Sequence, residues 1–306
     1  MVPAGVGGWT GTTAEGHRHP TADHLEDIVI VVIGGTGKTG RRVAQRLAER
    51  GEQVRAVSRS TSPRFDWDDA GTWEAALAGA DAAYVTYHPD LAFPGVPELI
   101  ARFSATARAA GVRKAVLLSG RGEEGALASE RALQESGLAW TVVRCNWFDQ
   151  NFSESFFLGP VLAGVLSIPA GEAREPFVDA DDIADVATAA LLDARHDGEV
   201  YELSGPRLLS FTEVAHELSA ATGREVRYAP VSHRDYVTEL EREGLPAEFA
   251  DLFALVLDGR NASVTDGVQR ALGRPPRDFT DYARRAAATG VWTPAPADRP
   301  VATSLR

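Results

Sequence analysis

The residues with the clearest chemical potential are Gly34-Gly35-Thr36-Gly37-Lys38-Thr39-Gly40. They follow the apolar run Ile28–Ile33 and precede a segment of helical periodicity. Glycines at this spacing suit a tight strand-to-helix turn whose backbone approaches a pyrophosphate, while N–H groups at the helix N-terminus receive its charge. The segment reads as G-x-G-x-x-G from Gly35 or as G-x-x-G-x-x-G from Gly34, and the flanking strand and helix give the motif its weight. Gly37-Lys38-Thr39 also resembles the end of a nucleoside-triphosphate loop. Val32, however, stands where that loop needs its first glycine, inside the strand. The expected ligand is a dinucleotide.

The end of the second strand indicates which one. An NAD site places a carboxylate about 20 residues beyond the turn, against the ribose 2′-hydroxyl. Here the chain reads Ser58-Arg59-Ser60-Thr61. A guanidinium among hydroxyls suits a 2′-phosphate, by charge and by its fork of donors. NADP(H) is therefore the expected cofactor, with Lys38 as a second positive charge. The plainer reading of Arg59 is a solvated surface residue. Asp66 and Trp67, expected at the end of a short strand, are candidates for adenine contact, and core packing is the alternative for Trp67. The cofactor-binding candidates are thus Gly34, Thr36, Gly37, Lys38, Thr39, Gly40, Ser58, Arg59, Asp66 and Trp67.

These residues need a scaffold of alternating strands and helices. Ile28–Ile33 reads as a strand buried on both faces. Arg41–Arg50 places Val43, Ala44, Leu47 and Ala48 on one helical face, and Gly51 suits the position just past its end. Gln53–Ser58 is a second strand, completing one βαβ unit. The alternation continues with a short helix at Trp73–Leu77, a strand at Ala82–Tyr87, a helix at Pro97–Ala110 and a strand at Lys114–Ser119. A helix at Leu127–Ser136 and a strand at Ala139–Arg144 follow. Past Asn151 the pattern loosens, then resumes with a helix at Asp182–Asp193 and a strand at Glu199–Leu203. Ser210 and Glu213 form a capping box for a helix to about Ala221. Such alternation predicts an α/β fold with a Rossmann-like, doubly wound parallel sheet.

Composition limits the partners. The chain has 306 residues, of which 31 are basic and 43 acidic, for a formal net charge of -12. That surface repels nucleic acid and anionic lipid, and no Lys/Arg-rich run offsets it. No apolar run approaches the roughly 18 residues of a membrane span. The single cysteine, Cys145, leaves no intramolecular disulfide or multi-cysteine metal site and fits a reducing, cytoplasmic setting. It reads as buried and inert. The first residues lack the pattern of a secretory leader. His17 and His19 read there as solvated tail rather than metal ligands. Nothing decides the oligomeric state, and a homodimer is compatible with the chain.

Several segments together resemble the NmrA-like branch of the atypical short-chain dehydrogenases. Val31–Gly40 is similar to the nucleotide turn of that family. Arg144-Cys145-Asn146-Trp147-Phe148-Asp149-Gln150-Asn151-Phe152 resembles its R-x-x-x-F-x-x-N segment. Pro176–Ala184 and Tyr201–Pro206 resemble two further signatures, and the likeness runs from about Ile28 to Trp292. The resemblance implies a Rossmann-like domain with a smaller C-terminal lobe and a cleft between them. On that basis residues 1–24 are a disordered extension, 25–151 plus 177–204 the NADP-binding domain, 152–176 plus 205–292 the substrate lobe, and 293–306 a flexible tail. The acidic helical stretch Tyr236–Asp258 would cover substrate. Family members include NAD(P)H-dependent quinone and enone reductases and regulators that bind nucleotide without turnover.

The usual Tyr-x-x-x-Lys proton-transfer pair is missing. The only lysines are Lys38, in the turn, and Lys114, whose tyrosine position is held by Ala110. After Ser119 the chain reads Gly120-Arg121-Gly122-Glu123-Glu124-Gly125. Ser119, Tyr87 and His88, all near strand ends, are the catalytic candidates, each with a strand-capping or turn-forming role as its alternative. Arg121, Trp147, Phe148, Asn151 and Phe177 are the candidate substrate-lining residues. Arg121 could meet an anionic substrate oxygen or pair with Glu123 or Glu124, and the aromatic residues could be core. No metal site is expected. The expected activity is NADPH-dependent hydride transfer to a small aromatic or quinonoid molecule, such as a quinone or conjugated enone. A nucleotide-sensing regulator, and a non-redox epimerase or dehydratase, are the alternatives.

Overall fold

A β-branched run without polar interruption can be buried on both sides, and Val29–Ile33 forms such a strand, β1, in the computed structural model, which describes residues 28–242, 250, 253 and 257–294. The chain continues through α1 (Gly40–Glu49), β2 (Gln53–Val57), α2 (Trp73–Leu77), β3 (Ala82–Val85), α3 (Val96–Ala109), β4 (Lys114–Gly120), α4 (Glu124–Gln134) and β5 (Ala139–Cys145). The short elements α5 (Asn151–Glu154), α6 (Leu158–Ala163), β6 (Val165–Leu166) and β7 (Arg174–Glu175) lead to α7 (Ala180–Leu192) and β8 (Glu199–Leu203). Then come β9 (Leu209–Ser210), α8 (Phe211–Thr222), β10 (Arg227–Tyr228) and α9 (His233–Arg242), with two later helices at Gly267–Leu272 and Phe279–Ala288.

Six strands form one sheet in the order β2-β1-β3-β4-β5-β8, with every pair parallel. The order reverses at β1, which puts the ligand crevice of a doubly wound sheet at the carboxyl ends of β1 and β3. Successive side chains of β1 enter opposite layers, as the period of a strand demands. Val31 and Ile33 pack with Leu77, Ile100, Phe103 and Leu133 on one face. Ile30 and Val32 pack with Val43, Leu47, Ile183 and Ala187 on the other. A third cluster gathers Phe152, Phe157, Leu209, Phe211, Phe279 and Trp292 away from the sheet. Trp292 is buried there and donates its indole N–H to the Phe152 carbonyl at 2.8 Å.

Most expected elements are present with shifted ends, and the capping box at Ser210 and Glu213 forms in both directions. One expectation is corrected. Asp66 and Trp67 do not close a strand, because Asp66 makes only an isolated bridge to Asp69. Side chains take its backbone groups instead. The Asp66 N–H donates to Thr72 Oγ1 at 3.0 Å, and its carbonyl accepts from the Trp73 indole at 2.8 Å. The expected extension at residues 1–24, most of the expected tail, and the middle of Tyr236–Asp258 lie outside the described residues. No described helix is long and apolar enough to cross a membrane.

A buried ion pair clamps β5, next to the edge strand β8, to α4. Glu130 accepts two hydrogen bonds to separate oxygens from Arg144, at 2.8 Å from Nε and 2.6 Å from Nη2. Arg144 also reaches Glu202 on β8 at 3.1 Å. The pair thus joins α4, β5 and β8. Removing one partner of such a pair leaves an uncompensated buried charge. Glu130→Ala is expected to lower the unfolding free energy by about 3–5 kcal/mol in urea titration.

Candidate functional site

The glycine turn rests on the ends of three strands. The Gly35 N–H donates to Val57 O of β2 at 3.0 Å, and the Gly37 N–H donates to Gly34 O at 2.8 Å. Thr86, just past β3, donates its hydroxyl to Ile33 O of β1 at 3.1 Å. No side chain fits between these parts. A Cβ on Gly34, whose φ is +69°, would lie 2.4 Å from Thr86 Oγ1. One on Gly35 would lie 2.7 Å from Ala56 Cβ, and one on Gly40 would lie 2.2 Å from Gly34 O. Thr36 and Gly37 remain exposed at the crest, directly before α1. A bare backbone crest at a helix N-terminus fits a pyrophosphate.

Around this cradle the structure gathers the adenosine-side candidates. Thr61 Oγ1 accepts from the Ser58 N–H at 2.7 Å and folds the loop after β2. The Ser58 and Ser60 hydroxyls lie 3.1 Å apart. Arg59 is exposed and has no carboxylate partner among the described residues. Asp66 is buried and paired with Arg64. The Trp67 indole donates to Thr86 O at 2.9 Å, and its ring meets Tyr87 at 5.5 Å and Phe103 at 5.1 Å. Trp67 is therefore packed at the edge of the first core cluster.

Lys38 is placed differently from the expectation of a second charge beside Arg59. Its ammonium donates to Asn151 Oδ1 at 2.9 Å, and burial lowers its pKa. Asn151, expected to line substrate, is thus turned toward the phosphate turn. Arg41 and Arg42 of α1 both pair with Glu154 on α5, the latter at 2.7 Å.

The strand-end candidates divide similarly. Tyr87 is half-buried at the end of β3, where burial and Asp68 raise its phenol pKa, and His88 is exposed beside it. Ser119 is buried and donates its hydroxyl to Glu130 Oε1 at 2.6 Å. Arg121 does not pair with Glu123 or Glu124. It reaches Glu202 at 3.3 Å, Asn146 Oδ1 at 3.2 Å and Ser263 Oγ at 2.7 Å, so it pins the 261–263 segment over the sheet. Cys145 is buried, and burial pushes its thiol well above the ordinary value.

Trp147 belongs to an aromatic wall with Phe156, Phe157 and Phe253, at ring separations of 6.1, 5.9 and 5.0 Å. Phe156 is 51% exposed, whereas Phe177 is only 2% exposed and packs among Phe152, Phe211 and Phe279. Phe177 therefore belongs to the core behind this wall and does not line its surface. Phe148 pairs its backbone with Val178 and packs toward α7.

Three polar residues of this region escaped sequence reasoning. Thr86 locks the turn, and its only signal is a hydroxyl placed just before Tyr87. Glu130 lies on the buried face of an amphipathic helix, where a charge signals an internal partner. Glu175 is buried, accepts from Asn146 Nδ2 at 3.2 Å and has its pKa raised to about 7, chiefly by burial. Nothing in its sequence neighbourhood marks it.

A doubly wound parallel sheet with a side-chain-free cradle at its reversal point defines a dinucleotide-binding protein. The model of the NAD(P)H-binding family matches residues 34–194. An NAD(P)H azoreductase of Xenophilus azovorans is 33% identical, over 85% of this chain and 98% of its own. The oxidoreductase YesF of Bacillus subtilis (strain 168), itself uncharacterized, is 32% identical over 86% and 98% respectively. The triphenylmethane reductase of Citrobacter sp., solved with NADP(H), shares the fold with a TM-score of 0.71 at 21% identity, covering 85% of this chain and 99% of that one. The chain belongs to the NAD(P)H-binding family and is an NAD(P)H-dependent oxidoreductase.

The cradle makes a direct prediction. In Gly40→Ala the new methyl must displace the Gly34 carbonyl, so nucleotide affinity is expected to fall at least about tenfold in a fluorescence titration, as a loss of about 1.4 kcal/mol. Far-ultraviolet circular dichroism checks that the fold persists.

Proposed function

We propose that the protein is an NADPH-dependent reductase of flat conjugated acceptors, a quinone or a conjugated enone, working without a Tyr-x-x-x-Lys pair. The observation that carries this reading is an aromatic surface that begins two residues after β5 at the carboxyl edge of the sheet, where half-buried Trp147 and exposed Phe156 lie over the buried rings of Phe157 and Phe253. Flat π-systems stack on such surfaces in offset or edge-on geometry. A relative at 33% identity is named as an NAD(P)H azoreductase.

In this reading Gly34, Thr36, Gly37, Thr39 and Gly40 hold the pyrophosphate, with Lys38 beside it. Ser58 and Arg59 hold the 2′-phosphate, and Asp66 and Trp67 border the adenine. When bound, the nicotinamide supplies the hydride. Trp147, Phe148 and Phe156 flank the acceptor. Tyr87 and His88 contact it from the β3 end, where the unpaired, exposed imidazole of His88 orients a carbonyl. Ser119, bonded to Glu130, keeps the end of β4 in place, and Arg121 holds the covering segment. Quinones and enones are electrophilic, so the transfer needs little acid assistance before hydride arrives.

Two measurements test the reading. NADPH oxidation, followed at its nicotinamide absorbance, is expected with at least one member of a quinone and enone panel. Tight NADPH binding without turnover across the panel would instead mark a sensor or a non-redox enzyme. Arg59→Ala is expected to weaken NADPH by about 2 kcal/mol, the scale of a charge-assisted contact, and to leave NADH nearly unchanged. Equal losses for both nucleotides would remove Arg59 from the 2′-phosphate site.

A further inference from the structure

At the end of β4, just past Ser119, a carboxyl group folds back over the strand. Glu123 folds back over Gly120, the last residue of the strand. A Cβ on Gly120 would stand 2.6 Å from Glu123 Oε1 and 2.8 Å from its carboxyl carbon. Only glycine at this strand end leaves room for the carboxyl to lie there. Glu123 Oε2 is buried and has no hydrogen-bond partner among the described residues. The residue as a whole is half-buried, so the group is sheltered without being sealed off.

The neighbouring loop is bolted against it. Ser129 donates its hydroxyl to Leu91 O at 2.9 Å, and a Cβ on Gly125 would lie 2.3 Å from Ala92 O. This packing brings Asp90, two residues past His88, beside Glu123. From the covering segment comes Arg260, which donates to Gly122 O at 3.0 Å and is itself paired with Asp258 at 2.7 Å. The charged groups facing Glu123 are therefore Asp90 from the β3–α3 loop and Arg260 from the C-terminal segment, with Glu124 and Asp258 beside the arginine.

We propose that Glu123 is the acid that protonates the reduced acceptor, with Asp90 as its neighbouring carboxylate. This rests on the reductase reading above. The step balances as a two-electron reduction. The acceptor gains a hydride from bound NADPH at one atom, leaving NADP+, and the oxygen that collects the displaced electron pair takes the Glu123 proton. Glu123 is left as a carboxylate and regains a proton from solvent at its open side. Burial, first, and the Asp90 carboxylate, second, push the Glu123 carboxyl up to about 8, with Arg260 opposing them. A carboxylic acid in that range is still protonated at neutral pH and close to the optimum for proton transfer there.

The test uses wild type, Glu123→Gln and Gly120→Ala, full-length, with 1,4-naphthoquinone as acceptor. A raised folded-state pKa gives stability that is fully present below the ordinary carboxyl value of 4.5 and is lost progressively as pH rises from there to about 8. The melting temperature of the nucleotide-free wild type is therefore expected to fall across that range, and Glu123→Gln to lose this slope. Glu123→Gln is expected to bind NADPH with unchanged affinity, to lose at least about 100-fold in kcat, and to lose the decline of kcat above pH 8. Gly120→Ala, which displaces the carboxyl, is expected to lower kcat in the same direction with NADPH affinity retained. Wild-type turnover that Glu123→Gln leaves unchanged in kcat and pH profile overturns the assignment of Glu123 alone. A wild type that binds NADPH but reduces no member of the quinone and enone panel overturns the reductase reading, and this proposal with it.

Discussion

The close approach of the glycine turn to the ends of β1, β2 and β3 is the constraint on which the rest depends. The turn touches Ala56 on one side, and Thr86 on the other. That leaves the crest as bare backbone, and it fixes where α1 begins. Because α1 starts there, its arginines fall beside α5 and α7, and the second lobe is drawn to the same end of the sheet. The cradle and the aromatic wall are neighbours for this reason, although more than 100 residues separate Gly40 from Trp147 in the chain.

The lobe is held by charge as well as by its aromatic core. Arg42 and Arg46 meet Asp181 at 3.3 and 2.8 Å, while Arg274 meets Asp182 at 2.8 Å and Arg277 meets Asp185 at 2.9 Å. Asp182 has no solvent exposure. Asp149 lies among these acids with neither carboxylate oxygen partnered. Burial, reinforced by Asp179, Asp182 and Asp278, pushes its carboxyl well above the usual range. That shift favours the uncharged form and so lessens the buried negative charge at this joint.

The scaffold was legible because its signals are local. Strand runs, helical periodicity and glycine stops fall in sequence order, and Val31–Gly40 carries its own context. Reading failed where long-range partners decide. For Lys38 the sequence suggested a second positive charge at the nucleotide but gave no sign of its partner in the chain, Asn151, 113 residues away. Arg121 was weighed against its near neighbours Glu123 and Glu124, but it pairs with Glu202 from a strand added later in the chain. Phe177 and Phe156 look alike as residues, and only packing makes one core and the other surface. Glu130 was invisible as the partner of Ser119 and Arg144, because a glutamate on a helix ordinarily faces water.

The bond from Lys38 to Asn151, with the Arg42–Glu154 pair beside it, gives the phosphate turn and the lobe a common set of contacts. Lys38 has one ammonium to divide between Asn151 and an incoming phosphate. Whatever free energy a nucleotide gains or loses by redirecting it is shared with the lobe. Thermodynamic reciprocity then requires that any change nucleotide binding makes in the affinity of a ligand held against Asn151 and α5 equal the change that ligand makes in nucleotide affinity. A single ammonium group is thus the point at which the phosphate turn and Asn151 compete for the same charge.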